Sequence, residues 1–273
     1  MKPLFKRIIF GDCHGHFDSI NKIYQIEQPW SVVHLGDYFD NFSNDVEAIK
    51  QSFIDLVNLK NTHESIEGNG PFTMLIGNHD FQYLKYYMNE RCSGYNEGYA
   101  LWAHEKLSEM WDNKQIKIIE IDKHSKTIYS HAGISNTWLK DNRMEGIDLS
   151  LINTDINFNA LRFTYRGGGD SYGTTIYASP LWIRPEALIK DMYKDEKGNL
   201  WTQIVGHTPK HNPTCYYLKN DVIGPIAEDY NFINLAHKKP KLWIIDCMPN
   251  FYIREMVTKD GEVKSREMVK SNI

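Results

Sequence analysis

The sequence predicts an α/β fold, and three observations carry that prediction. Short apolar runs rich in β-branched residues alternate with helical patterns through the first half of the chain. The last third reads as strand after strand. Five glycine-flanked polar segments each follow directly on an apolar run, where a strand would leave a sheet: Gly11-Asp12-Cys13-His14-Gly15, Gly36-Asp37-Tyr38-Phe39-Asp40, Gly77-Asn78-His79-Asp80, His131-Ala132-Gly133 and Gly206-His207-Thr208.

The predicted strands are Phe5–Phe10, Ser31–Leu35, Phe72–Ile76, Ile116–Ile121, Thr127–Ser130, Gln203–Val205 and Leu242–Ile245, short runs bounded by turn residues. A helix is predicted from Ser43, which can cap it, with Asp45 and Glu47 in its first turn ahead of Ile49, Phe53, Ile54 and Val57. Glu97–Trp111 is a second helix, with Leu101, Trp102, Leu107, Met110 and Trp111 at roughly helical spacing. Parallel strands joined by crossover helices follow from the alternation. Near the end, Tyr252–Val257 and Val263–Val269 flank Lys259-Asp260-Gly261-Glu262, a hairpin occupying about 250–270. No Pro- or Ser-rich linker divides the chain, so residues 1–273 read as one domain. The segment 140–180 is the least regular and is read as a specificity insert. Its Gly167–Gly169 is no phosphate loop, because no Gly-Lys-Ser/Thr follows.

Bulk properties narrow the function. A formal charge of -4 and a pI near 6.3 give no global attraction to nucleic acid or membrane. Long nucleic acid is therefore not the expected partner. The apolar stretch before Gly11 is too short for the core of a secretion signal, and no run is long enough to cross a bilayer. Cys13, Cys92, Cys215 and Cys247 are scattered without a CxxC pair and read as reduced thiols. These features lead to the expectation of a soluble cytoplasmic protein.

The five segments offer carboxylates, one amide and several imidazoles, the donor set of a two-metal hydrolytic site. Asp12 and His14 alternate along an expected extended segment, so both side chains point to one side. Asp37 ends the next strand and reaches the same sheet edge, where its two oxygens suit it to bridge two cations. Asn78 adds an amide oxygen, and His131 and His207 add imidazole nitrogens. Oxygen with nitrogen suits manganese, taken here as the first choice, and also iron, zinc, cobalt, nickel or magnesium. Two such ions, roughly 3.5–4 Å apart, lower the pKa of a bridging water and clamp an in-line phosphoryl displacement. His79, next to Asn78 but facing the other way, is placed to protonate the leaving oxygen, with Asp40 orienting its ring.

The motifs GDCHG, GDYFD, GNHD, HAG and GHT resemble the calcineurin-like metallophosphoesterases, specifically the phosphoprotein phosphatase branch, in which they read GDxHG, GDxxDRG, GNHE, HGG and GH. The resemblance spans residues 11–207, and the order of the motifs is its specific part. It implies a β-sandwich flanked by helices, with Asp12, His14 and Asp37 on one metal and Asp37, Asn78, His131 and His207 on the other. It also implies that His79 acts with Asp40 at the leaving group and that Asn78 contacts the phosphate. Leu181-Trp182-Ile183-Arg184 is similar to a Trp-x-Arg of lambda-type bacterial and phage phosphatases, which makes Arg184 a phosphate clamp.

The chain departs from the pattern at three places. Asp40-Asn41-Phe42 replaces the usual Asp-Arg-Gly, so one phosphate-binding arginine is missing, with Arg162 or Arg166 as replacements from the insert. Asp80 stands for Glu and Ala132 for Gly, and neither is a metal ligand.

Plainer roles are assigned to the other candidates. His34, His63, His104, His124, His211 and His237 read as core or surface residues and His16 as structural. Cys13 should point into the core, since it lacks the phosphate-cradling loop of a cysteine nucleophile. Tyr165, Tyr172 and Tyr177 read first as packing, with a substrate groove as the sharper alternative.

The expected function is a metal-dependent phosphomonoesterase acting on Ser/Thr phosphoproteins or small phosphoesters. A nucleotide or dinucleoside-polyphosphate hydrolase or phosphodiesterase shares the chemistry, and a non-catalytic binding protein on the same fold is the third alternative.

Overall fold

The structure, a computed structural model, describes residues 3–40, 45–85, 91–154, 161–163, 172–209, 214–219, 222–225, 241–246 and 250–271. Two six-stranded sheets pack together. The first runs β12-β11-β1-β2-β3-β4, comprising Val263–Lys270, Phe251–Val257, Phe5–Phe10, Ser31–His34, Phe72–Leu75 and Ile116–Lys117. The second runs β5-β6-β7-β10-β8-β9, comprising Ile119–Asp122, Thr127–Ser130, Thr202–Val205, Leu242–Ile244, Thr214–Lys219 and Val222–Pro225.

Strand alternation explains the layers, because successive side chains point to opposite faces. Ile9, Val33 and Leu75 of the first sheet meet Tyr129, Ile204 and Trp243 of the second in the inter-sheet core. The outward Ile8, Phe10, Val32 and Met74 pack under α1 (Phe17–Glu27), α2 (Val46–Ser65) and α4 (Glu97–Asp112). Val205, Leu242 and Ile244 on the far face of the second sheet pack against Ala187 and Leu188. The short helices are α3 (Asn78–Leu84), α5 (Asn136–Asp141) and α6 (Pro185–Leu188). The C-terminal hairpin is present as β11 and β12, paired antiparallel.

A buried ionic network ties the sheets. Glu255 of β11 is fully buried and accepts from Arg7 (3.2 Å), Arg266 (2.6 Å) and Tyr129 (2.8 Å). Tyr129 belongs to the second sheet and the other three to the first.

Two parallel sets of strands position the site. β1, β2 and β3 run parallel, so the segments after them, bearing Asp12, Asp37 and Asn78, leave the first sheet at one edge. β6, β7 and β10 run parallel in the second, so His131, His207 and Asp246 leave it likewise.

Two expectations need correction. The run 116–121 is two strands in different sheets, because the chain crosses over at Ile118 and Asn153 Oδ1 takes the amides of Ile118 (2.9 Å) and Ile119 (3.1 Å). The α2 cap is Asp45, which accepts from the Ala48 amide at 3.0 Å. Ser43 lies outside the described residues. So do Gly167–Gly169, Tyr165 and Arg166, while the described part of 140–180 includes the buried Leu149, Ile152, Leu161, Phe163 and Ala178.

Candidate metal centre

The strand ends are drawn together by glycines that a side chain could not replace. A Cβ on Gly77 would lie 2.0 Å from Asp37 Oδ1, and one on Gly206 would lie 2.0 Å from Asp12 Oδ1. The loops then interlock through their backbones. The amides of Cys13 and His14 donate to the Asp37 carbonyl at 3.1 and 2.8 Å, and the Gly15 amide donates to that of Tyr38 at 3.0 Å. Asp12 accepts from the His207 amide with both oxygens, at 3.1 and 3.0 Å.

This corrects the extended geometry assigned to Asp12 and His14. His14 has a φ of 43°, in the left-handed region, so a turn and not strand alternation brings the two together. Asp37 (55°), Asp40 (64°) and His207 (63°) share that conformation. Non-glycine residues hold it only where surrounding contacts impose it, a pattern frequent at functional sites.

Three imidazoles are preset by backbone carbonyls. His14 Nδ1 lies 2.7 Å from the Phe39 carbonyl, His131 Nδ1 3.0 Å from that of Leu35, and His207 Nε2 3.1 Å from that of Trp182. A carbonyl can only accept, so in each ring the nitrogen facing it carries the proton. The other nitrogen is left as a lone pair aimed inward. His131 Nε2 lies 2.8 Å and His207 Nδ1 2.9 Å from Asn78 Oδ1, which is itself an acceptor. His131 Nε2 is also 3.4 Å from Asp37 Oδ2, and His14 Nε2 is 3.8 Å from the same oxygen. Acceptors thus converge on acceptors in a buried space, an arrangement that a cation relieves.

The electrostatics agree. Burial pushes the His131 and His207 pKa values well below the usual imidazole range, and burial with His79 nearby lowers His14 to about 4, so all three are neutral at pH 7, the form a metal ligand requires. Burial, followed by neighbouring carboxylates, lifts Asp12 well above the carboxylate range. Asp37 is likewise lifted by burial. Ligand atoms of Asp12, His14 and Asp37 all lie within 4.8 Å of one another. The residues present therefore fit divalent ions.

His79 stands beside this centre at the start of α3. Its amide donates to Asp37 Oδ1 at 2.9 Å, and its Nδ1 is 2.9 Å from Asp40 Oδ2. Asp40 is fully buried and accepts further from Tyr83 and Tyr99, each at 2.5 Å, and from Gln82. Burial opposes charge on His79, but Asp37 and Asp40 outweigh it and hold the imidazole up at about 12. Asp80 accepts three amides, from Asp37 (2.7 Å), Tyr38 (2.8 Å) and Gly77 (2.8 Å), and so fixes the Asp37 loop to the start of α3. Arg184 Nη1 donates to the His207 carbonyl (3.2 Å) and Thr208 Oγ1 (3.3 Å), and its charge acts on Asp246, Asp12 and Asp37.

The structure thus brings together every predicted ligand, the His79–Asp40 pair and Arg184. Arg162 is not brought in, since it is exposed and pairs with Asp141 at 3.5 Å. Cys13 is buried in the core as expected. His34 and His63 are buried and His16 and His124 exposed, whereas His211 and His237 lie outside the described residues. Tyr172 and Tyr177 are exposed.

Two residues of the site were not singled out from the sequence. Cys92 lies against His79, among ligand-type atoms of Asp40 and His79 within 4.8 Å. Nothing in its sequence context marks it. Asp246 lies close enough to Asp12, Arg184 and His79 to act on their charges. It follows an apolar run directly, the same signal as the five segments, but lacks their glycine or histidine neighbours.

A neutral-histidine, carboxylate and amide donor set at the ends of parallel strands defines a metal-dependent hydrolase class of site. The chain belongs to the calcineurin-like phosphoesterase family, whose model matches residues 5–237. The protein is accordingly a phosphoester hydrolase, and the family uses pairs of divalent metals. A crystal structure of a metallophosphoesterase from Sphaerobacter thermophilus is similar over 99% of this chain and 89% of that one, at 13% identity and a TM-score of 0.45. No curated protein matches the sequence. Among the described residues no helix is long and apolar enough to cross a membrane.

Proposed function

We propose that the chain is a single-domain phosphomonoesterase of the phosphoprotein phosphatase branch, similar to the lambda-type enzymes. In this reading Asp12, His14 and Asp37 hold one divalent ion and Asp37, Asn78, His131 and His207 hold a second, with manganese the first choice. The observation that carries the reading is the pairing of that centre with His79–Asp40 on one side and Arg184 on the other.

Two divalent ions at these positions supply a water of lowered pKa and neutralise charge on the phosphoryl group. The chain's own residues do the rest. Backbone carbonyls keep His14, His131 and His207 in the one tautomer that ligates. Arg184, anchored on the His207 carbonyl, presents its guanidinium to phosphoryl oxygens, and Asn78 offers its amide to the same group. His79 keeps its Nδ1 proton on Asp40 and gives the Nε2 proton to the leaving oxygen. Asp40, held by two tyrosines and Gln82, keeps the ring aimed and stabilises its charge.

A phosphorylated protein or small phosphoester is the proposed substrate, in a reducing, cytoplasmic setting that the free Cys13, Cys92 and Cys215 suit. Metal-reconstituted protein assayed in parallel on a Ser/Thr phosphopeptide and on diadenosine tetraphosphate tests the substrate class. Release of phosphate from the peptide alone is expected. Cleavage of the dinucleotide alone would move the chain to the nucleotide hydrolases.

A further inference from the structure

His79 and Asp40 are surrounded by polar side chains whose directions are set from outside the pair. Gln82 and Tyr83 follow His79 in α3 at the i+3 and i+4 positions, the spacing that puts them beside it on the helix. Tyr99 reaches the same point from the first turn of α4. All three are buried, and all three donate to the Asp40 carboxylate. Gln82 donates to Oδ2, where His79 Nδ1 also lies, and Tyr83 and Tyr99 donate to Oδ1 at 2.5 Å each.

A hydroxyl or a primary amide can present either a donor or an acceptor, so it holds a carboxylate only if something fixes which. Backbone amides fix it here. The Cys92 amide donates to Gln82 Oε1 at 2.9 Å, which turns the Nε2 group towards Asp40 and the His79 carbonyl. The Asn96 amide donates to the Tyr83 hydroxyl at 2.9 Å, and the Asp40 amide donates to that of Tyr99 at 3.2 Å. Each hydroxyl thus accepts from an amide and keeps its one proton for the charged carboxylate, in preference to the 3.3 Å approach of the two hydroxyls. Cys92 and Asn96 belong to one segment, 91–96. Tyr95 of that segment stacks on the Tyr83 ring, with centroids 5.1 Å apart and planes at 15°, and so ties it to α3.

Resting on the leaving-group role of His79, we propose that Gln82 and Tyr83 are positioning residues for that proton donor, and that the amides of segment 91–96 set them in that task. Neither residue touches the substrate. They fix the rotation of the Asp40 carboxylate, which keeps His79 Nδ1 engaged and leaves Nε2 as the proton-bearing atom facing the leaving oxygen. Loss of either donor frees Asp40 to turn and the imidazole to follow it. Proton delivery then suffers, while the metal ligands keep their own contacts.

The test compares manganese-reconstituted wild type, Gln82→Met, Tyr83→Phe, His79→Asn and the double variant of His79→Asn with Tyr83→Phe. Each is assayed on a phosphoserine peptide and on p-nitrophenyl phosphate, whose leaving group needs no proton and whose turnover reports an intact centre. Tyr83→Phe keeps the ring that stacks on Tyr95, and Gln82→Met keeps the length of the side chain, so each carries the test if the other fails to fold. The expected result is a kcat on the peptide lowered roughly 10-fold in each of these two variants, with KM unchanged and p-nitrophenyl phosphate turnover within about twofold. Tyr83→Phe should cost nothing further once His79 is replaced, because the two act through one proton transfer. A merely structural role would lower both substrates together and add to the loss in His79→Asn. If His79→Asn is impaired on the peptide alone, while Gln82→Met and Tyr83→Phe are unchanged on it or equally impaired on both substrates, the inference is overturned and the role of His79 stands. Equal loss on both substrates in His79→Asn overturns both.

Discussion

Asp80 offers a magnitude that can be worked from the structure. It is fully buried, its Oδ2 accepts the amides of Asp37 and Gly77, and its Oδ1 accepts that of Tyr38. Asp80→Asn keeps an oxygen for two of these but turns an NH2 towards the third amide. One buried donor then loses its partner, at about 1–3 kcal/mol. Burial lifts the Asp80 carboxyl to about 6 in spite of its three donors. Removing that charge therefore recovers part of the loss, and about 1–2 kcal/mol is expected for Asn. Asp80→Ala leaves all three amides unpaired, and about 4–6 kcal/mol is expected, less than three independent losses because the bonds share one loop. That approaches the whole stability of many domains. Guanidinium unfolding followed by circular dichroism, at constant m, measures both variants. A loss below about 0.5 kcal/mol in Asp80→Ala would refute the assignment of Asp80 as the tie between the Asp37 loop and α3.

Further outcomes follow from other contacts. His79→Asn should lower kcat on an alkyl phosphoester by roughly 10²–10⁴ with little change in KM, and by much less on p-nitrophenyl phosphate, whose leaving group needs no proton. Equal loss on both substrates would remove His79 from the leaving-group role. Arg184→Ala should raise KM roughly 10–100-fold, as expected for the loss of a charge-assisted contact to phosphate, and an unchanged KM in steady-state kinetics would exclude the clamp. Glu255→Ala leaves Arg7 and Arg266 buried without their shared carboxylate and should cost about 3–5 kcal/mol in chemical unfolding. Glu27 carries a pH signature. Burial opposes its ionisation, but Arg254, Tyr252 and Lys6 outweigh it and hold the carboxyl down at about 2. A carboxyl with a depressed folded pKa adds stability above its unfolded value, about 4.5, and loses it as pH falls towards 2. Unfolding curves from pH 6 to 2 should therefore show Glu27→Gln losing less stability on acidification than wild type, by about 1 kcal/mol once solvent screening is allowed for.

The site was legible because its chemistry demands particular residue types at strand ends, and a sequence shows both. Asp12, Asp37, Asn78, His131 and His207 could be placed from glycine-flanked turns after apolar runs. What could not be read is how the turns are held. His14, Asp37, Asp40 and His207 adopt left-handed backbones through amide contacts with residues distant in sequence, such as His14 to Asp37. No local signal announces those contacts. The split of 116–121 is similar, since an unbroken apolar run conceals a change of sheet that Asn153, more than thirty residues on, makes possible. Asp246 was hidden for a different reason. The carboxylate follows its strand as the others do, but its place near Asp12 comes from the approach of Gly11 to Ile245 across two sheets.

The central claim is that these residues form a metal-dependent phosphoester hydrolase centre in which Asp37 serves both ions. Hydrolysis of p-nitrophenyl phosphate by EDTA-stripped protein, with manganese added back, tests it against Asp37→Asn under the same conditions. The account predicts turnover restored by the metal in wild type and abolished in the variant. Equal turnover of the two proteins, or turnover of the stripped protein that the metal leaves unchanged, would contradict it.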